Sequence, residues 1–353
     1  AQIGPRIGLL YAFNTAGAVA GALLTAWWLL PDFGLRGTTW VAAGINVLVA
    51  LLAFTLLALQ AKQAPVSAPA TQPATEGSVP AARFAWILPL ILLSGAVSFM
   101  QEVLWTRLLS RVVGSTIPAF GIMVASFLAG IALGGALGAW LGRERRRAAP
   151  AFVVSQLAVA LLLVLAWYAL LQWAPLPKTQ LTRALLGFAV LLPLALAIGV
   201  TYPLAVRVLA VGVDDAPAAS ARVYGWNTTG AILGALAGGF WLIPSLKYEG
   251  AMQCSVVVSL LLATASAALL LPLRWQRVAP LALATIGVAV LYHPSRPDAL
   301  LRVSVLRDAG GDIVYYDVGR SADVVVVRDE TNLDIRTNGL PEAGTPVLGA
   351  PPI

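Results

Sequence analysis

Nine stretches of this 353-residue chain are apolar, and nearly all are long enough to cross a bilayer, which restricts the fold more than any motif does. They cover residues 7–30, 39–60, 85–109, 117–142, 151–174, 183–211, 220–244, 250–272 and 279–293, the last being the shortest. In lipid every backbone N–H and C=O must be bonded internally, and runs of this length satisfy that as α-helices. The composition agrees: 59% of residues are hydrophobic and 11% charged, where a soluble domain carries about 25% charged residues. The chain is therefore expected to be an all-α polytopic membrane protein of about nine spans, its first partner the lipid bilayer. Pro89, Pro193 and Pro203 fall inside these runs, where neighbouring groups in a membrane bundle can satisfy the freed carbonyls.

Composition also divides the chain. Residues 61–84 are rich in Pro, Ala, Ser and Thr and cannot bury a core, so a flexible linker is expected there. It separates two helices in residues 1–60 from six in residues 85–272. Residues 273–293 read as a short last span or an interfacial helix, and 294–353 as a soluble β-rich segment. In that segment 302–307, 313–317, 322–328 and 333–337 are β-branched runs, and Asn338-Gly339 is a tight-turn signal. The residues after Gly339 show no periodicity, and so few strands make a poor independent domain.

The charge of +7 is unevenly spread. Residues 1–293 hold 17 basic and 7 acidic residues, against 6 and 9 in residues 294–353. One alternating set of loops, containing Arg6, Lys62, Arg83, Arg143, Arg145, Arg146, Arg147, Arg207, Arg222, Arg274 and Arg277, holds 11 basic residues. The other holds six, Arg36, Arg107, Arg111, Lys178, Arg183 and Lys247. The positive-inside rule makes the first set cytoplasmic, with the N-terminus and the Arg143–Arg147 loop inside a bacterial inner membrane. If 279–293 spans, the C-terminal tail is periplasmic. No basic stripe points to nucleic acid. Cys254 is the single cysteine, so no disulfide framework and no thiolate metal site can be built; the single histidine, His293, ends an apolar run, which argues against a His-based metal or triad site. No metal and no cofactor are expected.

The chain repeats itself at an offset of 213 residues. Residues 11–37 (YAFNTAGAVAGALLTAWWLLPDFGLRG) align without gaps to 224–250 (YGWNTTGAILGALAGGFWLIPSLKYEG), with 12 of 27 positions identical. The matches include Asn14/Asn227, Thr15/Thr228, Gly17/Gly230, Gly21/Gly234 and Pro31/Pro244. Both copies run outward from the cytoplasmic side, as parallel repeats do in major-facilitator transporters. The second copy closes a six-helix block, so four helices are expected to precede the first copy outside this sequence.

Glycines at four-residue spacing, Gly130, Gly134 and Gly138, then Gly230, Gly234 and Gly238, and Gly17 with Gly21, give helices flat faces for close packing. The polar residues inside the apolar runs are the candidate site residues. Gln101, Glu102 and Arg107 form one cluster, read as an interhelical lock or a substrate or proton site. Glu102 and Thr106 share a helix face, with Arg107 placed to reach the interface. Tyr11, Asn14 and Thr15, with their copies Tyr224, Asn227 and Thr228, read as architectural hydrogen-bonding groups near the repeat axis or as a jointly formed site. Asp317, Asp323 and Asp334 read as solvated strand edges. No catalytic motif is present.

The repeated motif and the segment QEVLWTRLLSRVVGST resemble the membrane portion of bacterial fused major-facilitator/spermidine synthase-like proteins. The segment YYDVGRSADVVVVRDETNLDIRTNGLPEA resembles the small sheet that opens their aminopropyltransferase-like domain. The resemblance implies a nucleotide-binding loop and acidic residues for decarboxylated S-adenosylmethionine and a diamine, at positions that would lie beyond Ile353. Three functions follow: a structural or assembly subunit of a membrane complex with other membrane subunits as partners; a membrane-anchored aminopropyltransferase without its catalytic domain here; or a small-molecule or polyamine transporter.

Overall fold

In the computed structural model, residues 15–63, 82–114, 116–175, 179–212, 215–272, 275–302, 311–330 and 332–346 are described. Tyr11, Asn14, most of the linker and the run 303–310 lie outside them. Six helices are long and apolar enough to cross a membrane. They are α1 (Thr15–Leu59), α2 (Ile87–Val113), α3 (Ile117–Leu141), α4 (Arg145–Trp173), α5 (Gln180–Leu209) and α6 (Ala216–Leu270). The shorter α7 (Trp275–Leu291) and α8 (Asp298–Arg302) follow, then a four-stranded sheet.

Two of the six are too long to be single crossings. At about 1.5 Å per residue, the 45 residues of α1 and the 55 of α6 would exceed twice the roughly 30 Å hydrocarbon core if straight. Each is broken at one residue with positive φ: Gly34 (φ 63°, ψ −176°) and Lys247 (φ 57°, ψ −172°). For α6 the packing traces a hairpin. The first arm runs along α2, with Gly230, Gly234 and Gly238 against Leu92, Ala96 and Met100. The second arm starts at Tyr248, near the end of α2, and comes back until Leu262 and Leu270 join Ile87 and Ile91 in one core cluster. α7 then lies along this second arm. Thr285 meets Thr264 at 3.0 Å, and the Gln253 amide donates to the Ala289 carbonyl at 3.4 Å.

The two breaks stand 213 residues apart, which is the sequence offset. The same offset relates a π-helical turn at Thr25–Leu29 to one at Gly238–Leu242. It also relates two crowded glycines just past each break: a Cβ on Gly37 would lie 2.7 Å from the Phe33 Cβ, and one on Gly250 would lie 2.8 Å from the Leu246 Cβ.

The glycine ladder of α3 lies against α5. An added Cβ at Gly130 would sit 2.5 Å from the Ala195 Cβ; at Gly134 it would overlap the Leu196 carbonyl, and at Gly138 it would sit 2.5 Å from the Val200 carbonyl. These glycines let the two backbones touch, the packing gain available where lipid offers no hydrophobic drive between helices.

The strands β1 (Asp312–Val318), β2 (Asp323–Arg328), β3 (Asn332–Thr337) and β4 (Leu340–Pro346) form an antiparallel meander in chain order. Asn338 (φ 51°) and Gly339 (φ 81°) take the left-handed conformations of a two-residue hairpin turn, as their sequence requires. That turn also explains β4, a strand that the aperiodic residues after Gly339 do not signal. Its Pro341 and Pro346 remove donors, which an edge strand tolerates, and the hairpin imposes the pairing that its side chains do not advertise.

Candidate functional site

The sheet does not stand alone. It is clamped to the end of α2 opposite the Arg143–Arg147 loop. Arg111, in the last turn of α2, is only 1% exposed, and Asp323, which opens β2, 2%. The guanidinium grips both carboxylate oxygens: Nε donates to Oδ2 at 3.0 Å and Nη2 to Oδ1, while Nη1 reaches the Leu301 carbonyl at 3.4 Å. The Tyr248 hydroxyl donates to Asp323 Oδ2 at 2.6 Å, and the Asn338 backbone N–H donates to Oδ1 at 3.1 Å. Asp323 is therefore not the solvated strand-edge acid that the sequence suggested. Its run, ADVVVVR, carries no sign that the partner lies 212 residues upstream.

Two further cations complete the clamp. Arg107 donates to the carbonyls of Gly319 (2.9 Å), Gly239 (3.3 Å) and Arg320. It is neither snorkelling freely nor paired with Glu102. Lys247, at the break of α6, donates to the Tyr316 carbonyl at 2.8 Å, and its ammonium stands 5.0 Å from the centre of the Tyr316 ring. Burial, with the nearby Glu249 carboxylate, pushes the Tyr316 phenol above its usual range. The strained conformation of Lys247 is thus held by a tail contact that glycine could not make.

Beside the clamp lies a crevice of roughly 480 Å³ between α2, α3 and the sheet. Its wall includes Thr106, Arg107, Phe120, Met123, Tyr248 and Asp323. A second, smaller hollow of roughly 30 Å³ shares Thr106, Phe120 and Met123 with it and carries Glu102, with Val124, Phe127 and Leu191. Glu102 and Thr106 do share a face, and it is this one. Among the described residues Glu102 is half-buried and makes no ion pair or hydrogen bond.

The other sequence candidates lie elsewhere. Gln101 is fully buried in the core, and neither end of its amide finds a partner among the described residues. Asn227 packs on Gly95, where an added Cβ would sit 2.5 Å from its carbonyl oxygen and 2.9 Å from Oδ1. Tyr224 is exposed, Thr228 half-buried, and Thr15 buried. These do not converge on the crevice. Among the described residues no group of three His, Cys, Asp or Glu side chains is placed to hold a metal. The clamp residues Arg111, Tyr248 and Asp323 were missed as site residues; an arginine in the last turn of an apolar helix was the one available signal.

No protein-family model, curated protein or solved structure matches the chain.

The two sequence copies have unequal surroundings. Around the second copy, Cβ atoms added to Gly230 and Gly234 would overlap the carbonyls of Leu92 and Ala96 on α2. Around the first copy, Gly17 and Gly21 have nothing within 4 Å of such a Cβ among the described residues. The first arm of α1 touches the bundle through a different face, where Ala26, 3% exposed, meets Gly121 of α3. The second arm of α1 is mostly apolar and is exposed from Thr39 to Leu59, Trp40 at 78%.

Proposed function

We propose that this chain is a structural or assembly subunit of a membrane complex, built to receive further helices on α1. The single observation that carries this reading is the empty glycine face. Matching glycines, helical in both copies, are filled by α2 in one copy and have no neighbour among the described residues in the other. The missing occupant is a membrane helix of the α2 type, with small residues where α2 has Gly95 and Ala96.

The same reading takes the break at Lys247 and its partner at Gly34 as hairpins of a parallel, major-facilitator-like repeat. The six long helices and α7 then make nine crossings. With the basic loop Arg143–Arg147 cytoplasmic in a bacterial inner membrane, the clamped sheet faces the periplasm. The resemblance to the membrane portion of spermidine synthase-like fusions belongs to this proposal too, with the sheet serving as a rigid foot rather than an active site. The exposed edge strand β4 leaves it able to extend by strand addition.

Photo-crosslinking in native membranes tests the assignment. A photoreactive residue at position 17 or 21 is expected to give one discrete protein adduct, whose linked peptide maps to an apolar helix with a small-residue face. A probe on the second arm of α1, at Trp40, is expected to give mainly lipid adducts. Lipid adducts alone at both places would sink the proposal. A transport reading draws on a different feature, the crevice that leads to Glu102.

A further inference from the structure

We propose that the crevice beside the clamp binds a small organic ammonium ion, with the Glu102 carboxylate as its counter-charge. The inference is independent of the subunit reading. It rests on the position of Glu102 and on what surrounds it.

Glu102 sits one helical turn inside Thr106 on the same face of α2. The larger crevice reaches Thr106, Phe120 and Met123, and the smaller hollow continues from those residues to Glu102. The carboxylate therefore stands at the inner end of a passage that opens beside the sheet. A carboxylate at membrane depth is retained when something compensates it, and no group among the described residues does. Arg107 is the nearest cation in sequence, but three of its donors are aimed at the carbonyls of Gly319, Gly239 and Arg320. Arg111 is committed to Asp323.

The lining decides which cation fits. Around Glu102 the walls are Phe120, Met123, Val124, Phe127 and Leu191, and Thr106 is the one other lining residue with a side-chain oxygen. A hard metal ion needs about six oxygens, which this hollow does not supply. An alkylammonium needs one carboxylate, a hydroxyl acceptor, aromatic faces and apolar contact for its chain. Phe120, Phe127, Met123 and Tyr248 provide these along the length of the passage. The Arg107 end repels a second positive charge, so the site suits one ammonium group at the Glu102 end and a neutral or anionic remainder toward the mouth.

The test is protection from carbodiimide labelling in the detergent-solubilised full chain. Dicyclohexylcarbodiimide enters apolar passages and tags carboxyl groups, and peptide mass spectrometry reads the Glu102 peptide directly. Glu102 is expected to be labelled in cation-free buffer. Butylammonium chloride is expected to slow that labelling about tenfold at roughly ten times its dissociation constant. Sodium chloride at the same ionic strength is expected to leave it unchanged, and Phe120→Leu to weaken the protection. Three outcomes overturn the proposal: equal rates with butylammonium and sodium, labelling suppressed by lipid whatever the cation, or no labelling of Glu102 without any cation. Glu102→Gln keeps the side-chain shape and shows whether any residual tag belongs to another site.

Discussion

Asp323→Ala asks whether the sheet is held by its buried ion pair. In the wild-type protein the carboxylate takes Arg111 through two nitrogens, the Tyr248 hydroxyl and the Asn338 N–H. Removing it leaves the Arg111 guanidinium, fully buried, with only the Leu301 carbonyl at 3.4 Å. An orphaned buried charge costs about 3–5 kcal/mol, and the stranded Tyr248 hydroxyl pushes the figure toward the upper end. The docked-to-undocked ratio of the tail should therefore fall roughly 150- to 4,000-fold. Trypsin cleavage after Arg328 in the solubilised protein, at protease levels where opening is in equilibrium, reads this ratio as a rate. Hydrogen exchange of the β2 and β3 amides should rise in step. The companion variant Arg111→Met with Asp323→Leu removes both charges and should recover most of the loss, because an apolar pair of similar volume is often neutral or better. Unchanged cleavage in Asp323→Ala, or a double variant as loose as the single one, would refute the view that the buried pair holds the sheet.

Three further outcomes are expected. Gly234→Leu should destabilise the bundle by at least about 1–3 kcal/mol, since the obstructing atoms are the backbone of Ala96; Gly21→Leu at the matching position should leave thermal unfolding of the isolated chain unchanged. At position 247, glycine should be better tolerated than alanine in thermal unfolding, reversing the usual helix order. Lys247→Gly relieves about 1–3 kcal/mol of strain while losing the bond to Tyr316, whereas Lys247→Ala loses the bond and keeps the strain. The raised Tyr316 phenol means the folded tail keeps its proton where the unfolded tail, with an ordinary value of 10.0, releases it. Docking should therefore be constant below about pH 10 and weaken above it, with a smaller slope in Tyr316→Phe, as followed by tail proteolysis against pH.

What the sequence disclosed and what it hid divide along a physical line. Periodic and local signals were legible: the apolar runs marked the helices, the Asn338-Gly339 pair marked the hairpin turn, and the four-residue glycine spacing marked a close-packing face on α3, though not that α5 would fill it. The 213-residue offset was legible as letters, and the same offset links the two π-turns and the two backbone breaks, at Gly34 and Lys247. Those breaks were not legible, because one falls at glycine and the other at a lysine held open by a distant carbonyl. The clamp was hidden for the same reason. Arg111 counts as one more basic loop residue, and Asp323 as one more tail acid, until the fold places them in contact. An arginine fully buried at a helix end needs a carboxylate, and the carboxylate that answers it comes from the tail. The tail is thereby bound to the membrane helices through charge as well as apolar area, since Tyr316, Val318, Val325 and Val327 are buried in one core cluster with Trp105, Leu108 and Leu109 of α2. A sheet too small to fold alone gains a fixed orientation on the bundle, and its residues Ser321–Asp323 become one wall of the crevice that adjoins the hollow at Glu102.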